Sequence, residues 1–149
     1  MAIRLSSGLR TSMVTEFGLE RMMRFGHIKI YTGTQPQSAD DPATGVYIGK
    51  VTTDGATPAV GQLVGGLQLQ QGDVAGSLSH LGNWVLTGVS TGTAGWWRFV
   101  WNSGDDNSTS LEYPRIDGLV GESLLLDETT ITPSTNILVN EFFLLLPSQ

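Results

Sequence analysis

The sequence predicts an all-β fold, an antiparallel β-sandwich of about eight strands behind an N-terminal helical segment. Three observations carry this expectation. The 149 residues include 19 glycines and only 15 % charged residues, with Ser and Thr plentiful, a composition of strands and turns rather than of solvated helices. From residue 26 onward, apolar residues alternate with polar ones at period two. Turn signals recur roughly every 8 to 14 residues, the spacing of sandwiches and barrels. The length suits one domain, with residues 1–25 as a helical arm and 26–149 as the sandwich.

Residues 5–24 read as the helical segment. Leu5, Leu9, Met13 and Phe17 stand four apart, and Leu19, Met22 and Met23 continue the stripe with drift. Gly8 and Gly18 weaken a single helix, so two short helices with a break at Gly18 are the alternative. Gly26 is placed to end the last turn. "HIKIYTG" then alternates Ile28 and Ile30 against His27, Lys29 and Tyr31 as a first strand. Residues 33–45, with two prolines and an Asp pair, form a loop by composition. "VYIGKVTT" (46–53) is a strand, 54–66 a mobile loop, and "LQLQQG" a strand that places Leu67 and Leu69 opposite Gln68 and Gln70.

Residues 72–82 fit either a helical turn or a loop. "NWVLTGVST" and "GWWRFVW" read as a strand pair joined through Gly92 to Ala94. Residues 102–110 turn, and 111–118 form a strand in which Pro114 points to an edge or a bulge. A short "ESLLLD" element and a turn at 129–136 lead to "ILVNEFFLLLP", the longest strand.

Two strands lack the wet face that an antiparallel sandwich usually shows. In Trp96–Trp101, Trp97, Phe99 and Trp101 point one way, into the core, and Trp96, Arg98 and Val100 the other. In the last strand, Leu138, Asn140, Phe142, Leu144 and Leu146 oppose Val139, Glu141, Phe143 and Leu145. Either the chain's own loops cover the second faces, or the helical segment, a sister subunit or a larger surface does.

Charge and residue type narrow the function. The net charge is −6 and the isoelectric point about 4.6. Five of the eight basic residues fall in the first 29 positions, which argues against a nucleic-acid groove. There is no Cys, hence no disulfide or thiolate metal site, which fits cytoplasmic assembly. No apolar run of signal-peptide or membrane-spanning type is present, so neither secretion by that route nor a membrane partner is expected. His27 and His80 lack ligand partners at metal-binding spacing. No GxSxG elbow singles out a serine. Asp40 and Asp41 read as turn formers. Residues 105–112 lack the glycine and glutamate of a calcium loop, and "VGQLVGG" has no lysine for a phosphate. No enzyme, cofactor or metal is expected; a structural or binding role is.

A resemblance sharpens that role. The run "GHIKIYTGTQPQSADDPATG" after a helix, then "GTAGWWRFVWNSG", "RIDGLVG" and "SLLLDETTITPSTNILVNEFFLLLP", resembles small tailed-bacteriophage virion proteins across residues 5–147. The order of these motifs is more specific than any one of them, and residues 54–82 match none. Proteins of this kind decorate, or cement, phage heads. The resemblance implies a jelly-roll sandwich, a homo-oligomer with a trimer favoured, the major capsid protein as partner, and a place on the capsid surface after assembly in the host cytoplasm. The candidate subunit or capsid interface is then Leu5, Leu9, Arg10 and Met13 on the helical segment with Trp96 and Val100 on the aromatic strand. Arg4, Arg10, Arg21 and Arg24 would face an acidic capsid surface. The alternatives are a baseplate component or a tail-fibre domain that stacks glycans on Trp84 or Trp96.

Overall fold

A computed structural model of the protein describes residues 3–15, 18–57, 60–102 and 104–146. Phe17 of the predicted stripe and Pro147 at the end of the last strand lie outside the described residues. Strands make up 41 % of the structure against two short helices, so the fold is all-β as the composition predicts. One antiparallel sheet curls into a half-barrel, and a small second sheet accompanies it.

The segment before residue 26 is not an arm of helix alone. Arg4–Leu5 form a strand, β1; Ser7–Thr15 form α1 and Leu19–Met23 form α2, with extended Gly18 between the helices. The break therefore falls at the glycine, where the helix propensity is lowest. Gly8 is tolerated inside α1 for another reason. A Cβ there would stand 2.1 Å from the Glu112 carbonyl oxygen, so only glycine lets the helix come this close to the chain at 110–113.

The remaining strands are β2 (His27–Tyr31), β3 (Tyr47–Thr53), β4 (Gln68–Gln71), β5 (Ser77–Leu81), β6 (Trp84–Gly88), β7 (Gly92–Thr93), β8 (Trp96–Val100), β9 (Arg115–Leu119), β10 (Leu124–Leu126), β11 (Thr130–Ile131) and β12 (Asn136–Leu145). The large sheet runs β1-β9-β8-β2-β3-β6-β12-β5-β4, with β10 on the other side of β12, while β7 pairs only with β11. The expected hairpin between residues 83–91 and 95–101 does not form. β6 pairs with β3 and β12, and β8 pairs with β2 and β9. The Gly92–Ala94 connection is used instead by β7, whose partner arrives from residues 130–131. The ambiguous stretch 72–82 contains β5.

The curl has an identifiable origin. β5 and β6 both pair with β12, β5 with its C-terminal part and β6 with its N-terminal part. Between them the chain turns at Gly82, whose φ of 84° suits glycine. Across from this point β12 carries a bulge against β10, where Leu125 pairs with Glu141 but Leu126 with Val139. The extra residue, Asn140, flips the alternation. Ile137 and Val139 are buried before it, Phe142 and Leu144 after it, and Asn140 and Glu141 are both exposed. The two apolar faces read from strict alternation are thus one buried face that changes parity once. α1 packs against β9 and α2 against β4, strands from opposite ends of the sheet, so the helical segment spans the open side of the half-barrel.

Phe142 lies at the centre of the core, with the rings of Trp84, Trp97 and Phe99 at 5.0, 5.3 and 6.0 Å. Trp97 and Phe99 are fully buried, as expected of that face. Trp101 is not in the core: it is 40 % exposed, because β8 ends at Val100 and the chain turns outward.

Candidate functional site

The outer face of β9, β8, β2 and β3 concentrates the charge chemistry of the chain. Strand register places Arg4, Asp117, Arg98, Lys29 and Lys50 in one row across five strands. A neighbouring row holds Arg115, Val100 and His27, and the pairing of Ile28 with Val51 puts Thr52 beside His27. The next row on the same face carries Trp96 and Tyr31, their rings stacked at 4.6 Å, with Tyr47 at 5.7 Å from Tyr31.

Two buried ion pairs fasten this face. Arg98 donates from Nε and Nη2 to the Asp117 carboxylate at 2.7 and 2.8 Å, and its guanidinium lies 5.4 Å from the Trp96 ring. Arg115 donates from Nε and Nη2 to Asp105 at 2.6 and 2.6 Å, and also to the carbonyls of Ala39 and Ser108. Each pair has the two-pronged geometry in which planar guanidinium and carboxylate match. Each also needs that geometry, because charges removed from water are stable only when fully paired.

What covers this face is the chain itself. Residues 32–46, 101–102 and 104–114 lie over it and bond to each other, Ala43 N–H to the Asn107 carbonyl at 3.1 Å and Ser110 N–H to the Asp40 carbonyl at 2.9 Å. The Asp40 carboxylate accepts from the Ser7 N–H and hydroxyl, at 2.7 and 2.6 Å, at the start of α1. The Arg4 guanidinium donates to the Pro36 carbonyl, and Trp96 Nε1 donates to the Thr44 carbonyl at 3.1 Å.

The expected interface is therefore corrected in most of its members. Trp96 and Val100 are 0 and 1 % exposed in the single chain, so neither offers surface to a subunit or a capsid. Leu9 is fully buried in the core, and Leu5 and Met13 pack against it half-buried. Arg10 alone of the six is exposed, its guanidinium donating to the Ser7 hydroxyl. Trp96 and Val100 are covered by the loops nearest in the fold, whereas Leu5, Leu9 and Met13 turn into the core or pack against it. Trp84 is also fully buried, so neither it nor Trp96 presents a ring to a sugar. His80 accepts the Phe142 N–H through Nδ1 at 3.3 Å, where β5 crosses β12.

Burial sets the electrostatics of the face. Desolvation, then Lys29 and Lys50, push His27 down to about 4. Burial likewise lowers Lys29, against the pull of Asp105, and raises Asp117, against the pull of Arg98. Tyr31 is pushed up to about 12 by burial. No group of three metal-ligating side chains occurs among the described residues. No helix there is long and apolar enough to cross a membrane.

One group of exposed apolar residues lies elsewhere, in the loop after β3. Val60, Leu63 and Val64 are 64, 64 and 73 % exposed. Asn102 holds their loop, its side chain accepting from Gly61 N–H and donating to the Gln62 carbonyl. Trp101 is the adjacent residue. The sequence signal was present, since the run Gly55–Gly72 contains apolar residues and no charge. It reads as turn composition until the loop's position is known. No family model, curated protein or solved structure matches the chain.

Proposed function

We propose that the protein is a structural component of a tailed-phage virion, a decoration protein that binds the outside of the head and stabilises it. The observation that carries the reading is the apolar knob of Val60, Leu63 and Val64, whose loop is bonded to the Asn102 side chain. Exposed apolar residues gathered without charge mark a surface meant for contact. The resemblance of the motif order to virion proteins supplies the class of partner: the major capsid protein, and sister copies in a trimer. Binding here needs no reaction, and a sheet tied by buried ion pairs under its loops is suited to bearing load.

Quantitative mass spectrometry of purified particles tests the reading. A copy number comparable with that of the major shell protein is expected. A handful of copies per particle would move the protein to the tail or baseplate, and absence from the particle would overturn the virion role.

A further inference from the structure

The outer face of the sheet holds a charge arrangement that its ion pairs do not account for. Five of the eight Lys and Arg residues stand on it, Arg4, Lys29, Lys50, Arg98 and Arg115, although the chain as a whole is acidic. Asp117 is consumed by Arg98 and Asp105 by Arg115. Lys29 and Lys50 face each other directly across β2 and β3. Like charges opposite one another destabilise a sheet. Among the described residues neither lysine has a carboxylate in ion-pairing distance, and Lys29 Nζ donates only to the Asp105 carbonyl at 3.2 Å.

Two buried polar atoms beside the lysines also lack partners among the described residues. They are Arg98 Nη1 and Thr52 Oγ1, on side chains 0 and 1 % exposed. Since Nε and Nη2 of Arg98 both face Asp117, Nη1 is turned away from that carboxylate. Buried donors without acceptors are rare and costly, and each calls for an explanation. His27 completes the group, and it is held neutral beside Lys29, Lys50 and Asp105.

We infer that His27, Lys29, Lys50 and Thr52, backed by Arg98, form a binding site for a small oxyanion, a phosphate group or a carboxylate. An oxyanion there would separate the two lysines and accept from donors that otherwise have no partner. The inference does not depend on the virion reading. A phosphate and a carboxylate share this chemistry, and the test separates them.

The first measurement is the melting temperature at pH 7 in sodium phosphate, with ionic strength held constant by sodium chloride. A ligand of the folded state raises the melting temperature saturably, by about 5 to 10 °C at a hundredfold excess over its Kd. Lys50→Met is expected to melt higher than the native chain in chloride and to lose the phosphate response. Arg10→Met removes the same charge from exposed α1 and should keep the response in full. A response to phosphate but not to acetate assigns a tetrahedral anion; an equal response to acetate assigns a carboxylate. No response to either, or an unsaturating one shared by Lys50→Met, overturns the site. Should Lys50→Met fail to fold, imidazole NMR of the native chain decides. Bound anion should raise the His27 titration from about 4 toward 6.5, and an unmoved titration overturns the inference.

Discussion

Arg98 and Asp117 show how much a single side chain carries in this protein. Both are fully buried, and each leaves a naked charge behind if the other is removed. Asp117→Asn is expected to cost about 3 to 5 kcal/mol in denaturant unfolding; a cost below about 1 kcal/mol would show that the pair is not the fastening of the face. Trp96 behaves like a core residue although it lies on the outer face. Its ring stacks on Tyr31 and its N–H is bonded, so Trp96→Ala should cost about 3 to 5 kcal/mol of folding stability. A variant of native stability that only assembles poorly would contradict its burial. His27 gives the pH dependence. It is neutral in the fold down to about 4 but takes up a proton near 6.5 when unfolded. Its contribution is therefore intact above pH 6.5 and lost as pH falls from 6.5 toward 4, by about 3 kcal/mol at the limit. The difference between the native chain and His27→Gln in chemical unfolding, followed across that window, isolates it. A difference that stays flat with pH would mean His27 titrates normally.

Among the elements, β12 shows why strict alternation misleads. One extra residue at Asn140 lets Ile137, Val139, Phe142 and Leu144 all reach the core. Deleting Asn140 would restore simple alternation and turn one half of that set toward solvent. The deletion is expected to abolish the cooperative unfolding transition, while Asn140→Thr, which keeps the count, should melt near the native temperature. A deletion variant that unfolds normally would show that the bulge is dispensable. β9 shows the converse constraint, a glycine needed for space. A Cβ on Gly118 would come within 2.4 Å of the Trp97 ring that lies across from it. Much of the local pattern was legible: the strand at 27–31, the break at Gly18, the length of the last strand and the core side of Trp97 and Phe99. The pairing of β6 and β8 was not, because a short Gly-rich link resembles a hairpin whichever partners the strands take elsewhere.

For the whole molecule, the division of surfaces decides function. The face expected as an interface is closed by residues 32–46, 101–102 and 104–114, and the loop at 60–64 is one of the apolar surfaces left open. Val64→Asp should leave monomer stability within about 0.5 kcal/mol, since the residue is 73 % exposed. Under the proposed function it should lower occupancy on particles at least tenfold, as read by co-sedimentation. Undiminished occupancy would place the docking surface elsewhere.

Composition and periodicity alone determined the all-β class, the helical start and most of the strand segments, because these depend on neighbours along the chain. They also located the aromatic strand at 96–100, both of whose faces are buried. Only the tertiary structure decided what those faces meet. Asp117 is 19 residues from Arg98, and Ala39 is 76 from Arg115. Nothing local distinguishes a loop that lies in solvent from one that seals a sheet. That depends on strand order, which brings β9, β8 and β2 side by side and so sets two distant loops over one row of charges.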